Sequence, residues 1–308
     1  MLFSLLPDKL FLLSFAGGTF FIAFFALKFF MRLLPKDQGR QFAVNGALSE
    51  GKPRGAGIIF ITAFIISAVL FIPLRLEGVV NLALIFAAML TGYLDDAAEK
   101  PWGELKKGLL DAVISFGVSI NFVIHNSTNI LIFNNIISVP KIVYVILGMI
   151  LVWASINVTN CSDGVDGLCA SLSIVTILLF NCFGNIRIYN MAMILTLIAY
   201  LWYNASPSKL LMGDAGSRAI GVFIALTAMK SGRPLMYIPL AAVLIVDGGL
   251  GLVKLTVRRV LKKKDFMDGL RTPIHDHMRK NKGWSDTQVV IRFSIIQVII
   301  GYLAICLM

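Results

Sequence analysis

Long apolar segments constrain the fold of this chain more than any other feature of its sequence. Runs of about 18 or more apolar residues are typical of transmembrane helices. We predict about ten spans, over residues 9–34, 55–74, 79–94, 108–125, 141–157, 168–184, 188–204, 218–230, 235–258 and 287–307. The chain is therefore predicted to be an all-α integral membrane protein with about ten transmembrane helices. We expect residues 1–308 to form a single polytopic domain.

The composition excludes an ordinary soluble protein. Charged residues make up 15% of the 308 residues, whereas a soluble domain carries about a quarter. The segment Ser127–Val139 is too short and too polar to span a membrane. Its β-branched residues and paired asparagines predict a small extracytoplasmic β-hairpin between the fourth and fifth spans.

The basic residues predict the orientation of the chain in the membrane. A net charge of +11 would suit a nucleic-acid partner, but most Lys and Arg lie in alternate loops. The positive-inside rule then puts both termini outside and the loops after the odd-numbered spans in the cytoplasm. We therefore expect a multi-pass membrane protein with these loops in the cytoplasm, and no nucleic-acid partner.

Four polar motifs interrupt the apolar chain. They are Leu94–Ala97, Asn160–Leu168, Met212–Gly216 and Pro273–His277. These motifs follow the third, fifth, seventh and ninth spans, so the predicted topology puts all four on the cytoplasmic face. Aspartates beside glycines are costly to keep at membrane depth. Their convergence on one face predicts a metal-dependent active site.

The first two motifs are rich in carboxylates. Asp95 and Asp96 end the third span, where the helix dipole and mutual repulsion disfavour two charges unless a cation is near. An ordinary solvated helix end is the alternative. Asn160, Asp163 and Asp166 are three residues apart and would share one face in the first turn of a helix. An Asx-rich turn that caps the sixth span is the alternative there.

The third motif and the histidine motif suggest ligands for a cation and an anion. Asp214 lies between two glycines and suits a hard cation such as Mg²⁺, or it caps the helix that follows. His275, Asp276 and His277 lie in the most basic loop. That loop offers no third well-spaced zinc ligand, so donors to an anionic substrate are the better interpretation. The basic residues of this loop are also suited to fix the orientation of the chain in the membrane or to bind anionic lipid head groups.

Asp247 lies inside the ninth apolar span and is followed by Gly248 and Gly249. An ionisable residue within a span is a candidate functional residue. A hydrogen bond between helices is an equal alternative. The glycine pair predicts a kink.

Together these motifs resemble the polyprenyl-phosphate N-acetylhexosamine-1-phosphate transferases. Pro273–His277, followed by Lys282–Ser285 and Val289–Phe293, is similar to the phospho-N-acetylmuramoyl-pentapeptide transferase branch. The resemblance extends from about Lys52 to Phe293. It implies a ten-helix fold, a location in a bacterial cytoplasmic membrane and a Mg²⁺-dependent reaction. In that reaction phospho-MurNAc-pentapeptide passes from a UDP-linked aminosugar donor to undecaprenyl phosphate, which gives lipid I and UMP.

The resemblance also implies roles for individual residues. Asp95, the candidate base for the lipid phosphate, Asp96 and Asp214 are the implied catalytic residues, and Asp214 with Asn160 the implied Mg²⁺ ligands. The implied substrate-binding residues are Lys107, Asn160, Asp163, Asp166, Asn204, Leu211, His275, Asp276 and His277. A homodimer is an open option for the oligomeric state.

Three positions depart from the pattern of this branch. Asp276 replaces the middle one of three histidines, Leu211 replaces a phenylalanine that stacks on uracil, and Glu99 replaces a lysine. A relative that uses another UDP-N-acetylhexosamine is therefore an alternative. An ion-coupled transporter is a remote alternative, because the acids share one face and no inverted repeat is visible.

Overall fold

In the computed structural model of the protein, residues 8–37, 39, 49–133, 135–183 and 187–308 are described. The first eight helices are α1 (Asp8–Phe30), α2 (Gly57–Phe71), α3 (Leu76–Asp96), α4 (Glu104–His125), α5 (Lys141–Cys161), α6 (Leu168–Phe180), α7 (Arg187–Asn204) and α8 (Gly213–Lys230). They are followed by α9 (Tyr237–Leu240), α10 (Ala242–Leu244), a π-helical turn at Ile245–Gly249, α11 (Leu250–Val260), α12 (Ile274–Lys282) and α13 (Asp286–Cys306). The predicted all-α membrane fold is confirmed.

The predicted hairpin is present between α4 and α5. Strand β1 (Asn129–Ile132) pairs antiparallel with β2 (Asn135–Ser138), and Asn129 faces Ser138 in the register. These two strands are the only sheet in the described part of the chain.

A helix lies at each of the ten predicted spans, but not every helix could cross a membrane alone. Among the described residues, five helices are long and apolar enough, and a bent pair gives a sixth. Helices α2 and α6 have only 15 and 13 residues. Helix α8 carries charges that are paired inside the protein. Ten membrane crossings therefore stay a prediction, as does the single domain.

The ninth predicted span is broken into two parts that bend by 70° between Leu240 and Ala242. The bend does not lie at the predicted glycine pair, which forms part of the π-helical turn. The fully buried Gln297 of α13 accepts a hydrogen bond from the Val243 N–H at 2.8 Å and donates to the Leu240 carbonyl at 2.8 Å. Backbone groups freed in a membrane need such partners. The side chain of Gln297 thus stabilises the break.

Helix α8 forms the centre of the bundle. Each of its residues except Lys230 is buried, and α3 and α5 pack most extensively against it. At Gly92 of α3 and Gly57 of α2, a Cβ atom would overlap the backbone of the first turn of α8. Both helices therefore approach that turn backbone to backbone, and this approach positions Asp214.

Two ion pairs of opposite polarity join α4 to α8. The Lys107 ammonium lies 3.2 Å from the Asp214 carboxylate. One turn deeper, Asp111 of α4 pairs with Arg218 of α8, and their side chains are only 5% and 2% exposed. Helix α4 otherwise packs mainly on α3 and α5. A shift of α4 by one turn would bring like charges together, so the two pairs fix its register on α8.

We predict that Arg218→Met lowers the free energy of unfolding by about 3–5 kcal/mol, because it leaves the Asp111 charge buried without its partner. The double variant Asp111→Leu with Arg218→Met should recover most of that loss. Unfolding in detergent measures both. Arg258→Met, which breaks the more exposed Arg258–Asp268 pair, is the control and should cost less than about 1 kcal/mol. Wild-type stability of Arg218→Met would contradict the prediction.

Candidate active site

Residues from three of the four predicted motifs meet at one small cavity of about 360 Å³. Asp95 and Asp96 come from the end of α3, Asn160 from the last turn of α5, and Asp214 from the first turn of α8. Lys107 of α4 completes the group. The structure therefore brings together the three predicted catalytic aspartates and the two predicted metal ligands.

Asp95 and Asp96 have separate partners, which offset the repulsion expected between adjacent charges. Asp95 accepts a hydrogen bond from the Trp102 N–H at 2.6 Å and pairs with the Lys107 ammonium. Asp96 accepts from the Ala215 N–H at 3.0 Å. Its second oxygen accepts from Arg54.

Lys107 and Asn160 both contact Asp214. The ammonium of Lys107 bridges the carboxylates of Asp95 and Asp214. Asn160 interacts with the Asp214 carboxylate, and its amide donates to the Ser217 hydroxyl at 2.9 Å. The side chain of Asp214 is thus oriented by a cation from α4 and an amide from α5.

Arg54 is a site residue that sequence reasoning missed. Its guanidinium donates to Asp96 at 2.9 Å and to Asp37 at 3.2 Å, and lies 3.9 Å from Asp214. Burial acts to lower the pKa of Arg54, but Asp96, Asp214 and Asp37 outweigh it and raise the pKa above its ordinary value. The side chain therefore stays charged. In the sequence, the only indication of a role for Arg54 was its position before Gly55 in a loop between two spans. Arg54 entered the prediction only in the count of basic residues.

A second cavity of about 600 Å³ adjoins the first, and the two share Asp37, Arg54 and Asn160. The predicted substrate-binding residues that line the larger cavity are Asn160, Asp163, Asp166, Asn204, Leu211, His275 and Asp276. Together the cavities form one continuous site.

The second motif is not the first turn of a helix. Helix α5 ends at Cys161, and residues 162–167 form a turn before α6. Asp166 accepts a hydrogen bond from the Ser208 N–H at 3.0 Å. The prediction of a shared helical face for Asn160, Asp163 and Asp166 was wrong, because α5 stops inside the motif, and the turn alternative describes it better.

Asn204 and Leu211 hold the loops around the larger cavity. The Asn204 amide accepts from the Gly167 N–H and donates to the Leu210 carbonyl, both at 2.9 Å. The Leu211 N–H donates to the Pro53 carbonyl at 2.8 Å. Both residues line the cavity, so they can contact a ligand as well as shape its site.

The histidine motif forms the first turn of α12 and is not a loop. His275 is buried, and its ring Nδ1 lies 2.8 Å from the Asp247 carboxylate, which also accepts from the His275 N–H at 2.8 Å. A Cβ atom at Gly164 would overlap the imidazole. Asp247 thus makes a hydrogen bond between helices, which was one of the two alternatives. Through this bond it orients His275, which lines the larger cavity.

Asp276 and His277 are placed differently. Asp276 lines the larger cavity and lies 3.6 Å from Arg279 and 3.9 Å from the Nε2 of His275. An aspartate at this position therefore contacts two basic side chains. His277 points elsewhere, toward the Arg271 N–H at 3.4 Å, and is not among the described residues that line either cavity.

The donor set fits Mg²⁺ only when other oxygens complete it. Among the described residues, no three His, Cys, Asp or Glu side chains are placed to hold a metal ion by themselves. Asp214 and Asn160 offer hard oxygen atoms, and Mg²⁺ commonly takes one or two carboxylates together with water and substrate phosphates. Asp214 and Asn160 therefore fit Mg²⁺ when water and substrate phosphates supply its other ligands.

Comparison with known proteins identifies the family. Residues 79–232 match glycosyl transferase family 4. A phospho-N-acetylmuramoyl-pentapeptide-transferase of Treponema pallidum (strain Nichols) is 36% identical over 305 residues, which cover 90% of this chain and 84% of the relative. The chain belongs to this transferase family. Proteins of the same name from Dictyoglomus thermophilum and Helicobacter pylori (strain HPAG1) are 28% and 26% identical, each over 94% of this chain and 95% and 92% of their own length.

We predict that Asp247→Ala lowers the transferase rate by about 10- to 100-fold, since the His275 imidazole loses the carboxylate that orients it. The loss should be smaller for Asp247→Asn, which keeps one acceptor oxygen. Steady-state kinetics on purified protein measure both. Asp265→Ala, an exposed aspartate between α11 and α12, should leave the rate unchanged. An unchanged rate for Asp247→Ala would contradict the orienting role.

Proposed function

We propose that this membrane transferase moves phospho-MurNAc-pentapeptide from UDP-MurNAc-pentapeptide to undecaprenyl phosphate, with Mg²⁺, and forms lipid I and UMP. Membership of the phospho-N-acetylmuramoyl-pentapeptide-transferases supports the reaction. The observation that carries the assignment to this site is a cluster of aspartates that lines the smaller cavity, which shares three lining residues with the larger one. A homodimer stays a prediction.

The charge of the site supports the need for a divalent cation. Four carboxylates, those of Asp37, Asp95, Asp96 and Asp214, face two cations, Arg54 and Lys107. The cluster therefore carries a net charge of about minus two, which would repel a diphosphate and a lipid phosphate. When bound, Mg²⁺ would supply positive charge to the phosphate oxygens. Asp214 and Asn160 are the residues that would hold it.

The two cavities suit the two substrates. We assign the nucleotide and sugar of the donor to the larger cavity, which is lined by Asp163, Asp166 and Asn204. The acceptor phosphate is assigned to the smaller cavity, beside Asp95 and Lys107. Phosphoryl transfer depends on alignment and on charge neutralisation more than on covalent chemistry from the protein.

Three residues of the smaller cavity have different roles in the proposed reaction. Asp95 orients the acceptor phosphate and accepts a proton from it if it enters protonated. Lys107 lies between Asp95 and Asp214, where it can contact phosphate oxygens. Asp96 holds Arg54 and the first turn of α8 in place.

We predict that purified protein releases UMP from UDP-MurNAc-pentapeptide only with undecaprenyl phosphate and Mg²⁺, and that EDTA stops the release. Asp214→Asn should lower the rate by about 100-fold or more, because it weakens charge stabilisation at the phosphates. Asp268→Asn is an exposed control that should keep wild-type turnover. Absence of UMP release from folded wild-type protein would contradict the reaction. Wild-type turnover and Mg²⁺ dependence in Asp214→Asn would contradict the metal assignment.

We also propose that this site faces the cytoplasm, where nucleotide sugars are found, and that both termini lie outside. In a cysteine-free background, Ser127→Cys beside the hairpin should react with a membrane-impermeant maleimide in intact spheroplasts. Lys264→Cys, in the basic loop before α12, should react only after permeabilisation. Both positions are exposed on the protein surface. The reverse labelling pattern would contradict the orientation.

A further inference from the structure

Arg54 occupies the junction of the two cavities. Three described residues line both cavities, namely Asp37, Arg54 and Asn160, and Arg54 is the only cation among them. Lys107 lines only the smaller cavity, and Lys52 only the larger one. Arg54 is therefore a positively charged group at the border of both cavities.

The backbone around Arg54 is held from both sides. The Arg54 N–H donates to the Pro35 carbonyl at 2.8 Å, and the Asp37 N–H donates to the Lys52 carbonyl at 2.8 Å. On the opposite side, the Leu211 N–H donates to the Pro53 carbonyl at 2.8 Å. The segment that carries Arg54 is thus fixed between two other segments. A catalytic group is more effective when its support is rigid in this way.

Among the described residues, two carboxylates orient the guanidinium of Arg54 and do not use all of its donors. Its Nε donates to Asp96 and its Nη1 to Asp37. Its Nη2 lies 3.9 Å from Asp214, which is beyond hydrogen-bond length. The side chain is 23% exposed and lines both cavities. Two carboxylates therefore fix the plane of the guanidinium and leave donors for a further oxygen ligand.

We propose that Arg54 is a catalytic residue that binds the phosphate being transferred. This inference rests on the proposed function, since the phosphate in question is the β-phosphate of a UDP-linked donor. A guanidinium presents its N–H donors in a planar fork that matches phosphate oxygens. Arg54 lies between the cavity assigned to the donor and the cavity assigned to the acceptor. Its guanidinium can therefore stay in contact with the phosphate as the phosphate passes from the donor to the acceptor. It thus offsets the charge that the transferring phosphoryl group carries.

Binding of UDP and UMP tests this role without turnover. Arg54→Gln should weaken the binding of UDP about tenfold, the effect of one lost charge-assisted hydrogen bond. The binding of UMP, which has no β-phosphate, should change by less than about twofold. Isothermal calorimetry on the purified protein measures both. Retained UMP binding also shows that the variant is folded.

Kinetics give a second readout. Arg54→Gln should lower kcat by about 100-fold, and Arg54→Lys, which keeps the charge without the fork, should retain part of it. Arg75→Gln removes a positive charge at the N-terminal end of α3, far from the site, and should behave as wild type.

Two results would overturn the inference. Equal weakening of UMP and UDP by Arg54→Gln would show that Arg54 only supports the cavity walls, and unchanged binding of both would show no contact with the phosphates. Failure of the wild-type protein to release UMP would overturn the proposed reaction instead. The UDP and UMP comparison would then still decide whether Arg54 binds a β-phosphate.

Discussion

The site depends on the close approach of α2 and α3 to the first turn of α8. Gly57 and Gly92 have no side chain at the contact, so the backbone of Asp214 and its neighbours lies directly against them. This packing puts Asp214 within reach of Lys107 and Arg54. A larger residue at either glycine would push the start of α8 away from the other carboxylates. The chemistry of the site is thus set by helix packing deep in the bundle.

Charge balance explains why so many acids are tolerated near the membrane. Asp37, Asp95, Asp96 and Asp214 each have a cation or a backbone N–H as a partner, as Asp95 has Lys107 and Trp102. The balance is incomplete, however, since carboxylates outnumber cations in the cluster. A site that keeps this excess is stable enough to fold yet retains an affinity for added positive charge. The same imbalance that costs stability therefore favours the binding of a metal ion and its phosphates.

The sequence predicted the helices and the grouping of the acidic motifs because both leave local signals. Apolar runs located the helices, adjacent acids at the end of a span marked Asp95 and Asp96, and flanking glycines marked Asp214. Arg54 and Gln297 left no such signal, because their roles depend on distant partners. Asp96 lies 42 residues from Arg54, and the partners of Gln297 lie 54, 57 and 58 residues from it. The Asp111–Arg218 pair was missed for the same reason, as its members are separated by 107 residues. Only the packed structure makes these contacts visible.

The break in the ninth predicted span links a membrane segment to the histidine motif. The 70° bend near Ala241 breaks the helical hydrogen-bond pattern. Gln297 stabilises the bend because its side chain hydrogen-bonds the Val243 N–H and the Leu240 carbonyl. The π-helical turn that follows contains Asp247. The Asp247 carboxylate hydrogen-bonds both the backbone N–H and the ring Nδ1 of His275. His275 lines the larger cavity, so the shape of that cavity depends on the position of the broken span. Any movement of α10 or α11 relative to the bundle would therefore alter the shape of the larger cavity.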